Sequence, residues 1–390
     1  MRYTIQLDWL QFWCKSAVPF REIANRNDQK TGLFARLPYL YEKANYGTRQ
    51  FKELWHVSLK GEELCEIQSV PCSSLFDADI VCIKFANRLL YKPSLWTVVD
   101  DTLRDFQLTI QNVTRCDICA DFVRFHNDLE PVMFITDFLS GKTRRVGRGD
   151  GGAYFRHGSY VKDGYSQAFT NYNGLSFGSH TSNARVYLYN KSHELRCVKD
   201  KPYIRDMWRK AGLIETKQTP NDPHPKTCDV WRLEVSIKSE GMHFKDTITG
   251  KRVQITKSNL SKQEPELTED GVVVSPSIST LFFTFIDKLF CFIPNRPGIT
   301  NVTREKERNR IKLFDGEPCM ERAIIREKSC SNRAEKILLH ALWVTADRYR
   351  GLEMADHNYT RQLAYDIAQS TDLLSWLDNN KTGWKCSTKK

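Results

Sequence analysis

The sequence predicts an α+β fold, in which a β-sheet domain extends to about residue 240 and a mainly helical region follows. Residues 114–125, 183–190 and 230–238 alternate polar and apolar side chains, which is the pattern of half-buried strands. Residues 279–293, 333–350 and 359–377 instead carry apolar side chains at helical spacing. The stretch between these two parts is polar and turn-rich. We therefore divide the chain into residues 1–240, 241–275 and 276–390.

Composition and charge limit the classes of protein to consider. Hydrophobic residues make up 41% of the 390 positions and charged residues 27%, as in folded proteins. The 58 Lys and Arg against 47 Asp and Glu give a net charge of +11, which favours a polyanion as partner. The longest apolar stretch, 279–293, is interrupted by Asp287 and Lys288, so it predicts a buried helix rather than a membrane span. The N-terminus lacks the pattern of a signal peptide and the twelve cysteines form no repeating framework, so we expect a cytoplasmic protein with reduced thiols.

The elements follow one another along the chain. Strands are predicted at 3–13, 53–60, 78–85, 114–125, 183–190 and 230–238, and helices at 94–106, 131–140 and 191–201. Residues 141–182 are rich in Gly, Tyr, Ser, Asn and Arg without a sustained period, which predicts a basic, flexible loop or hairpin. Three prolines mark a loop at 220–225.

Three of the predicted strands carry charged and aromatic side chains on one face. Those side chains are Arg115, Asp117 and Asp121 on the first strand, Arg185, Tyr187 and Tyr189 on the second, and Arg232 and Glu234 on the third. Strand residues two apart project to the same side, so neighbouring strands would gather these groups on one surface. The carboxylate oxygens are ligands that suit Mg²⁺ or Mn²⁺ rather than zinc.

Simpler interpretations stay open for each residue taken alone. Asp and Arg on a sheet face are often cross-strand ion pairs, and a strand tyrosine usually packs against its neighbours. Cys116 and Cys119 form a CxxC, but a zinc site of this spacing needs a second ligand pair. The sequence contains no GxxxxGK[ST] loop, so it gives no sign of an ATP-driven motor. The convergence of three strands is what favours a functional site.

An ordered series of motifs resembles a known family. The motifs are Leu7-Asp8-Trp9-Leu10, His56-Val57-Ser58-Leu59-Lys60-Gly61, Thr114-Arg115-Cys116-Asp117 followed by Asp121 and Phe122, Phe177-Gly178-Ser179, Arg185-Val186-Tyr187-Leu188-Tyr189-Asn190-Lys191 followed by Glu194, and Trp231-Arg232-Leu233-Glu234. In this order they resemble the Rep_trans-type rolling-circle replication initiation factors of plasmids and phages, together with related nickases of conjugative elements. The resemblance covers about 230 residues.

The resemblance implies a fold and an activity. The implied fold is an antiparallel-sheet nickase domain, degenerate HUH-like, because the His-hydrophobic-His metal motif of the better-known tyrosine nickases is missing here. The implied activity is metal-dependent nicking and rejoining of one DNA strand through a 5′-phosphotyrosine. The family's tyrosine precedes an Asp/Asn-Lys pair, which maps onto Tyr189 before Asn190-Lys191. Tyr187 is the fallback nucleophile.

Residue chemistry agrees with this reading. A phenol with a pKa of about 10 needs a cation or base nearby to become a nucleophile. A Mg²⁺ or Mn²⁺ ion held by Asp117, Asp121 and Glu234 would polarise the scissile phosphate. Further positive charge at the phosphate is expected from Lys191, Arg185 and Arg232. The predicted DNA-binding residues are Lys142, Arg144, Arg145 and Arg148 of the basic loop, and Arg115.

The expected partner is origin DNA, double-stranded and locally single-stranded, in the cytoplasm of a bacterial host. A host helicase, a host polymerase and a homodimer are further family expectations, and no membrane partner is expected. Three alternatives remain open: a relaxase or mobilisation nickase of a conjugative element, a noncatalytic DNA-binding protein whose sheet face is only an ion-pair network, and a metal nuclease that uses water.

Overall fold

In the computed structural model, the described residues are 2–28, 39–73, 76–146, 158–159, 171–172, 174–178, 182–214, 228–246, 252–267, 273–296, 309–316 and 322–323. The chain forms two compact units, Met1–Ile325 and Arg326–Lys390, and all described residues belong to the first. The helices predicted at 333–350 and 359–377 and the loop predicted at 220–225 lie outside the described residues. The division at residues 240 and 275 stays a prediction.

The strands are β1 (Tyr3–Ser16), β2 (Tyr39–Lys43), β3 (Phe51–Leu59), β4 (Glu62–Pro71), β5 (Ile80–Phe85), β6 (Leu108–Phe122), β7 (Thr143–Arg145), β8 (Gly158–Ser159), β9 (Asn171–Tyr172), β10 (Gly174–Phe177), β11 (Ala184–Asn190), β12 (Trp231–Lys238), β13 (His243–Asp246), β14 (Arg252–Gln254), β15 (Glu266–Leu267), β16 (Val273–Ser275), β17 (Phe292–Pro294) and β18 (Arg322–Ala323). The helices are α1 (Phe20–Asp28), α2 (Asn87–Leu90), α3 (Leu95–Asp105), α4 (Pro131–Leu139), α5 (Lys191–Cys197), α6 (Pro202–Lys210), α7 (Lys257–Ser261) and α8 (Ile278–Leu289). Two 3₁₀ turns lie at His126–Asp128 and Ser239–Gly241.

One large sheet organises the molecule. Its strand order is β10–β11–β12–β6–β1–β5–β4–β3–β2, and every neighbouring pair is antiparallel. The two longest strands, β1 and β6, pair side by side near its centre. The predicted α+β class with an antiparallel sheet is confirmed.

One face of this sheet is apolar and covered by helices. Ile118 of β6 lies opposite Val235 of β12, and both side chains are fully buried. Helix α8 contacts four strands of the sheet and adds the fully buried Phe282 to the same core. Burial of each such side chain stabilises the fold by about 1.5–3 kcal/mol.

The buried helix predicted at 279–293 is confirmed as far as Leu289, where α8 ends, but the prediction is wrong for residues 292–293, because they pair with β7 as part of strand β17. Asp287, which interrupts its apolar run, forms an ion pair with Arg310. In the described parts of the chain, no helix is both long and apolar enough to cross a membrane.

A small second core lies beside the main one. Leu195 of α5, Ile204 and Trp208 of α6, and Val230 before β12 pack together in it. Helix α6 begins with a proline in its first turn, a position where the missing N–H costs nothing. The sequence patterns above did not predict this helix, and it is important for the site because it carries Trp208.

Candidate active site

Strands β11, β12 and β6 are neighbours, so the polar faces predicted from the sequence form one surface. Tyr189 lies opposite Arg232, which in turn lies opposite Asp121. Two residues further along, Tyr187 lies opposite Glu234. The register therefore confirms the expected convergence of three strands.

The Tyr189 hydroxyl lies between a carboxylate group and an ammonium group. It donates a hydrogen bond to Oε2 of Glu234 at 2.9 Å, and Nζ of Lys191 lies 3.4 Å from the same oxygen. Tyr189 and Glu234 are partly exposed, whereas Lys191 is only 1% exposed. A buried ammonium ion needs a counterion, and both carboxylate oxygens of Glu194 accept from it at 2.8 and 3.0 Å.

A strand-to-helix junction fixes the relative positions of Tyr189 and Lys191. Helix α5 begins directly after β11, and Asn190 caps it by accepting from the backbone N–H of His193 at 2.8 Å. The side-chain amide of Asn190 also donates to Asp229 at 2.7 Å. Because the cap is held from both sides, Tyr189 ends the strand and Lys191 starts the helix in a defined relative position.

Arg232 lies fully buried beneath the site, where it forms hydrogen bonds with several surrounding residues. Its side chain is 0% exposed, and Nε and Nη2 donate to the two carboxylate oxygens of Asp121 at 2.6 and 2.8 Å. Its Nη1 donates to Asp8 at 2.7 Å, and Nη2 lies 3.0 Å from the Tyr91 hydroxyl. The guanidinium is thus used by protein groups and lies out of reach of a DNA phosphate in this arrangement.

Both carboxylate oxygens of Asp121 are likewise occupied by hydrogen bonds. Besides Arg232, its Oδ2 accepts from the Trp208 indole at 2.7 Å and from Gln6 at 3.2 Å. Its side chain is 0% exposed. Asp121 therefore ties β6, β12, β1 and α6 together.

Asp8 belongs to the site although the sequence patterns assigned it no role. It sits where the β1–β6 register shifts, between Leu7 and Trp9, so it leaves the alternation of its strand. Its carboxylate accepts from Tyr91 at 2.5 Å and from Asn87 at 3.1 Å, in addition to Arg232. Burial alone raises the pKa of Asp8, but these donors and the charges of Arg232 and Lys191 hold it well below its usual range.

The pKa values of Tyr189 and of its hydrogen-bond acceptor Glu234 are both shifted. Burial, together with the negative charges of Asp8 and Asp117, raises the pKa of Glu234 to about 8. Burial and the neighbouring Glu234 raise the pKa of Tyr189 well above its usual value, while Arg232 acts in the opposite direction. The Tyr189 hydroxyl is therefore protonated at neutral pH, and Glu234 is the group placed to accept its proton.

Both carboxylate oxygens of Asp117 accept hydrogen bonds from an arginine of its own strand. Nε and Nη2 of Arg115 donate to the two oxygens of Asp117 at 3.0 and 2.6 Å. Burial raises the pKa of Asp117 despite this pairing with Arg115. The same guanidinium lies over the Trp9 ring, 4.0 Å from its centroid.

The three predicted metal ligands share the face without forming a metal site in this arrangement. Both oxygens of Asp117 and both of Asp121 point at guanidinium groups, and Glu234 accepts from Tyr189. Within the ranges that the structure describes, no group of three His, Cys, Asp or Glu is placed to hold a metal ion. As they stand, these residues do not fit a three-carboxylate Mg²⁺ site. The requirement for Mg²⁺ or Mn²⁺ stays a prediction.

Tyr187 and Arg185 continue the face along β11. The Arg185 guanidinium lies over the Tyr187 ring, 4.8 Å from its centroid. Both side chains are partly exposed. Tyr187 stays the second candidate nucleophile, one position along the face from Tyr189.

The described residues of the predicted basic loop lie in different environments. Lys142 is exposed and pairs with Asp137 at 3.0 Å. Arg145 donates to the backbone carbonyl of Leu289 at 2.8 Å and lies over the Phe177 ring. Nε and Nη2 of Arg144 are buried and have no hydrogen-bond partner among the residues that the structure describes. Arg148 lies outside the described residues.

Comparisons with known proteins give a likeness at the level of structure. No protein-family model matches the sequence, and no curated protein sequence matches it. The chain is similar to the solved structure of a rolling-circle replication initiator protein from Geobacillus stearothermophilus, at 12% sequence identity, over 79% of this chain and 91% of that one, with a TM-score of 0.41. At this identity the likeness says nothing of the activity, which has to be inferred from the side chains of the sheet face.

Proposed function

We propose that this chain is a rolling-circle replication initiator, which nicks and rejoins one DNA strand at an origin with Tyr189 as nucleophile. The observation that supports it is the position of the Tyr189 hydroxyl, 2.9 Å from the Glu234 carboxylate and 3.4 Å from the Lys191 ammonium. A nucleophile held by a base, which is itself held by its surroundings, is the usual arrangement for covalent catalysis.

The proposed reaction follows from that geometry. The Tyr189 oxygen attacks the scissile phosphorus while its proton passes to Glu234. A bond forms between the phenol oxygen and phosphorus, and the bond between phosphorus and O3′ breaks. The product is a 5′-phosphotyrosine and a 3′ hydroxyl, which takes its proton from solvent. Because the phosphodiester energy is retained, the reverse attack rejoins the strand without ATP.

Each neighbouring cation has its own proposed role. Lys191 stabilises the negative charge that develops on the phenol oxygen, since its ammonium lies beside it and is shielded from water. Arg185 is partly exposed on the same face and contacts the DNA backbone. Arg232 acts as a positioning residue, because it holds Asp8 and Asp121 while staying fully buried.

The proposed setting is the cytoplasm of a bacterial host. A host polymerase would extend the 3′ hydroxyl, and a host helicase would separate the strands. Mg²⁺ or Mn²⁺ as cofactor and assembly as a homodimer are also part of the proposal. The same residues would equally serve a relaxase that acts at a transfer origin.

A noncatalytic DNA-binding role is the second candidate. The specific observation in its favour is that Arg232 pairs with Asp121 and Arg115 pairs with Asp117, as a purely structural ion-pair network would. In that case the unmodified protein binds DNA but cuts nothing.

The test is a nicking assay on supercoiled DNA that carries the gene with its flanking regions, in Mg²⁺, Mn²⁺ or EDTA. We expect a covalent protein–DNA adduct that peptide mapping places at Tyr189, and complete loss of adduct and nicking in Tyr189→Phe. Tyr46→Phe is the matched control, because Tyr46 is 67% exposed and lies between β2 and β3, toward the opposite edge of the sheet from β11.

Each other outcome selects another reading. An adduct at Tyr187 keeps the mechanism and moves the nucleophile. Nicking without an adduct indicates a water nuclease. Binding without cleavage under all three conditions overturns the proposal in favour of the noncatalytic role.

A further inference from the structure

Lys201 lies between α5 and α6 and turns back toward the site. Residues 196–200, which precede it, are exposed, whereas Lys201 itself is partly buried. Its Nζ donates to Oδ1 of Asn87, the first residue of α2, at 3.3 Å. The side-chain amide of Asn87 donates in turn to the backbone carbonyl and the carboxylate of Asp8 at 2.8 and 3.1 Å. Asn87 therefore links Lys201 to the carboxylate that contacts Arg232.

The charge of the Lys201 ammonium is poorly compensated by the protein. Its partner is a neutral amide oxygen, which also accepts from the Tyr203 hydroxyl at 2.7 Å. Among the residues that the structure describes, no carboxylate forms an ion pair with Lys201. Lys191, by contrast, is held by both carboxylate oxygens of Glu194. A partly buried ammonium without a counterion is suited to an anionic ligand such as a phosphodiester.

The surroundings of Lys201 make it a stronger acid than an ordinary lysine. Burial first, and then the positive charge of Lys191, lower the pKa of Lys201, while the carboxylates of Asp8 and Glu194 act in the opposite direction. The same two carboxylates also act on the pKa of Tyr189, so the lysine and the nucleophile share one electrostatic environment. An ammonium whose pKa is lowered toward neutrality gives up its proton more readily.

The proposed nicking reaction needs a second proton transfer, at the leaving oxygen. O3′ departs as a strongly basic alkoxide unless a proton reaches it while its bond to phosphorus breaks. The groups beside the Tyr189 hydroxyl are already engaged, since Glu234 takes the phenol proton and the buried Lys191 is held by Glu194. Arg232 is fully buried, and a guanidinium does not release its proton in proteins. The leaving oxygen therefore needs an acid from outside this group.

We propose that Lys201 is the general acid of the nicking reaction and protonates O3′ of the scissile phosphodiester. As the Tyr189 oxygen bonds to phosphorus, the electron pair of the P–O3′ bond moves to O3′, which takes a proton from Nζ of Lys201. The neutral amine regains a proton from solvent, so the net source of the proton is still solvent. In the rejoining step the neutral amine accepts the proton of the 3′ hydroxyl, and Glu234 returns its proton to the phenol oxygen. The inference rests on the proposed function, whose leaving-group chemistry it completes.

The test replaces the leaving oxygen by sulfur. Oligonucleotides that span the nick position mapped by the nicking assay carry either O3′ or S3′ at the scissile phosphate. A thiolate leaves without a proton, because thiols ionise at a pKa of about 8.5. Lys201→Met should lower the single-turnover nicking rate about 10²- to 10⁴-fold on the oxygen substrate and less than about 10-fold on the sulfur substrate. Lys199→Met is the matched control, since Lys199 is an exposed lysine of the same segment, and it should change either rate by less than about twofold.

Lys201→Arg separates proton donation from positive charge. The variant keeps the charge but cannot give up a proton at neutral pH. We expect it to bind the oxygen substrate as the unmodified protein does, measured by anisotropy, and to nick that substrate as slowly as Lys201→Met. The sulfur substrate should restore its rate. This variant also keeps the test decisive if Lys201→Met does not fold, which circular dichroism checks.

Two results would overturn the inference alone. One is an equal loss of rate on the oxygen and sulfur substrates, which shows that Lys201 only positions the DNA or its neighbours. The other is a full rate of Lys201→Arg on the oxygen substrate, which shows that charge is sufficient. The proposed function fails in a different way: if the unmodified protein forms no adduct with either substrate, the nicking reaction is rejected together with its general acid.

Discussion

At the scale of single residues, the Tyr189–Glu234 pair links nicking to pH. The pKa of Glu234 is raised to about 8, first by burial and then by the charges of Asp8 and Asp117. Glu234 accepts the phenol proton only in its deprotonated form. The single-turnover nicking rate should therefore rise about tenfold per pH unit below pH 8 and level off above it. A series of nicking assays from pH 6 to pH 9 measures this profile.

Glu234→Gln separates this effect from a general response to pH. The variant cannot accept a proton, so its plateau rate should fall about 10²- to 10⁴-fold and its profile should lose the rise below pH 8. Glu66→Gln is the matched control, because Glu66 is another partly exposed glutamate on the same sheet face and pairs with Lys84. A Glu234→Gln profile that keeps the original rise would show that another group is the base.

At the scale of elements, the buried Asp121–Arg232 pair joins β6 to β12. Both side chains are 0% exposed, and Asp121→Asn leaves the guanidinium without its main counterion. Removal of one partner from a buried pair typically costs 3–5 kcal/mol, so the free energy of unfolding should fall by about that amount. Urea denaturation measures it. Asp101→Asn is the control, since its exposed pair with Arg104 should be worth about 0.2–1 kcal/mol.

Equal losses in the two variants would contradict the structural role of the pair. If Asp121→Asn yields no folded protein, Trp208→Phe removes the indole hydrogen bond to Asp121 together with part of a buried ring. That change should cost more than about 1.5–3 kcal/mol, the usual value for a hydrogen bond to a charged group, because the lost ring volume leaves a cavity in the second core.

Local sequence patterns predicted the elements whose side chains alternate regularly. They failed where contacts between distant parts of the chain determine the partners of a residue. β6, β11 and β12 were predictable because each has one apolar and one polar face, which also predicted that Tyr189, Glu234 and Asp121 share a surface. Asp8 was not assigned a role, because a bulge takes it out of the alternation. Arg232 was expected at the phosphate, but its partners come from β1, β6 and the end of α2, which no spacing within β12 can indicate.

At the scale of the whole molecule, the net charge of +11 favours a polyanion but does not say which cations meet it. Many of the described arginines are engaged in ion pairs, as Arg232 and Arg115 are. In the predicted basic loop, Arg145 is used to hold β7 against the end of α8. Two buried donor atoms of Arg144 have no partner among the described residues, and such atoms cost about 1–3 kcal/mol when left unsatisfied. Because both atoms are buried in this arrangement, a phosphate oxygen would satisfy them once the side chain turns outward.

Arg144 and Arg145 should consequently separate DNA binding from stability. Arg144→Gln should weaken binding to duplex DNA and lower the slope of log K against log salt by about 0.9, the value of one phosphate contact, while the free energy of unfolding stays the same or rises. Arg145→Gln should lower the free energy of unfolding by about 1 kcal/mol, because it removes the hydrogen bond to Leu289, and should leave the salt slope unchanged. Anisotropy titrations at several salt concentrations, with urea denaturation of both variants, measure the two effects. If Arg145→Gln lowers the salt slope and Arg144→Gln does not, the DNA contact lies at Arg145, and a salt slope unchanged in both variants would exclude both arginines from the DNA interface.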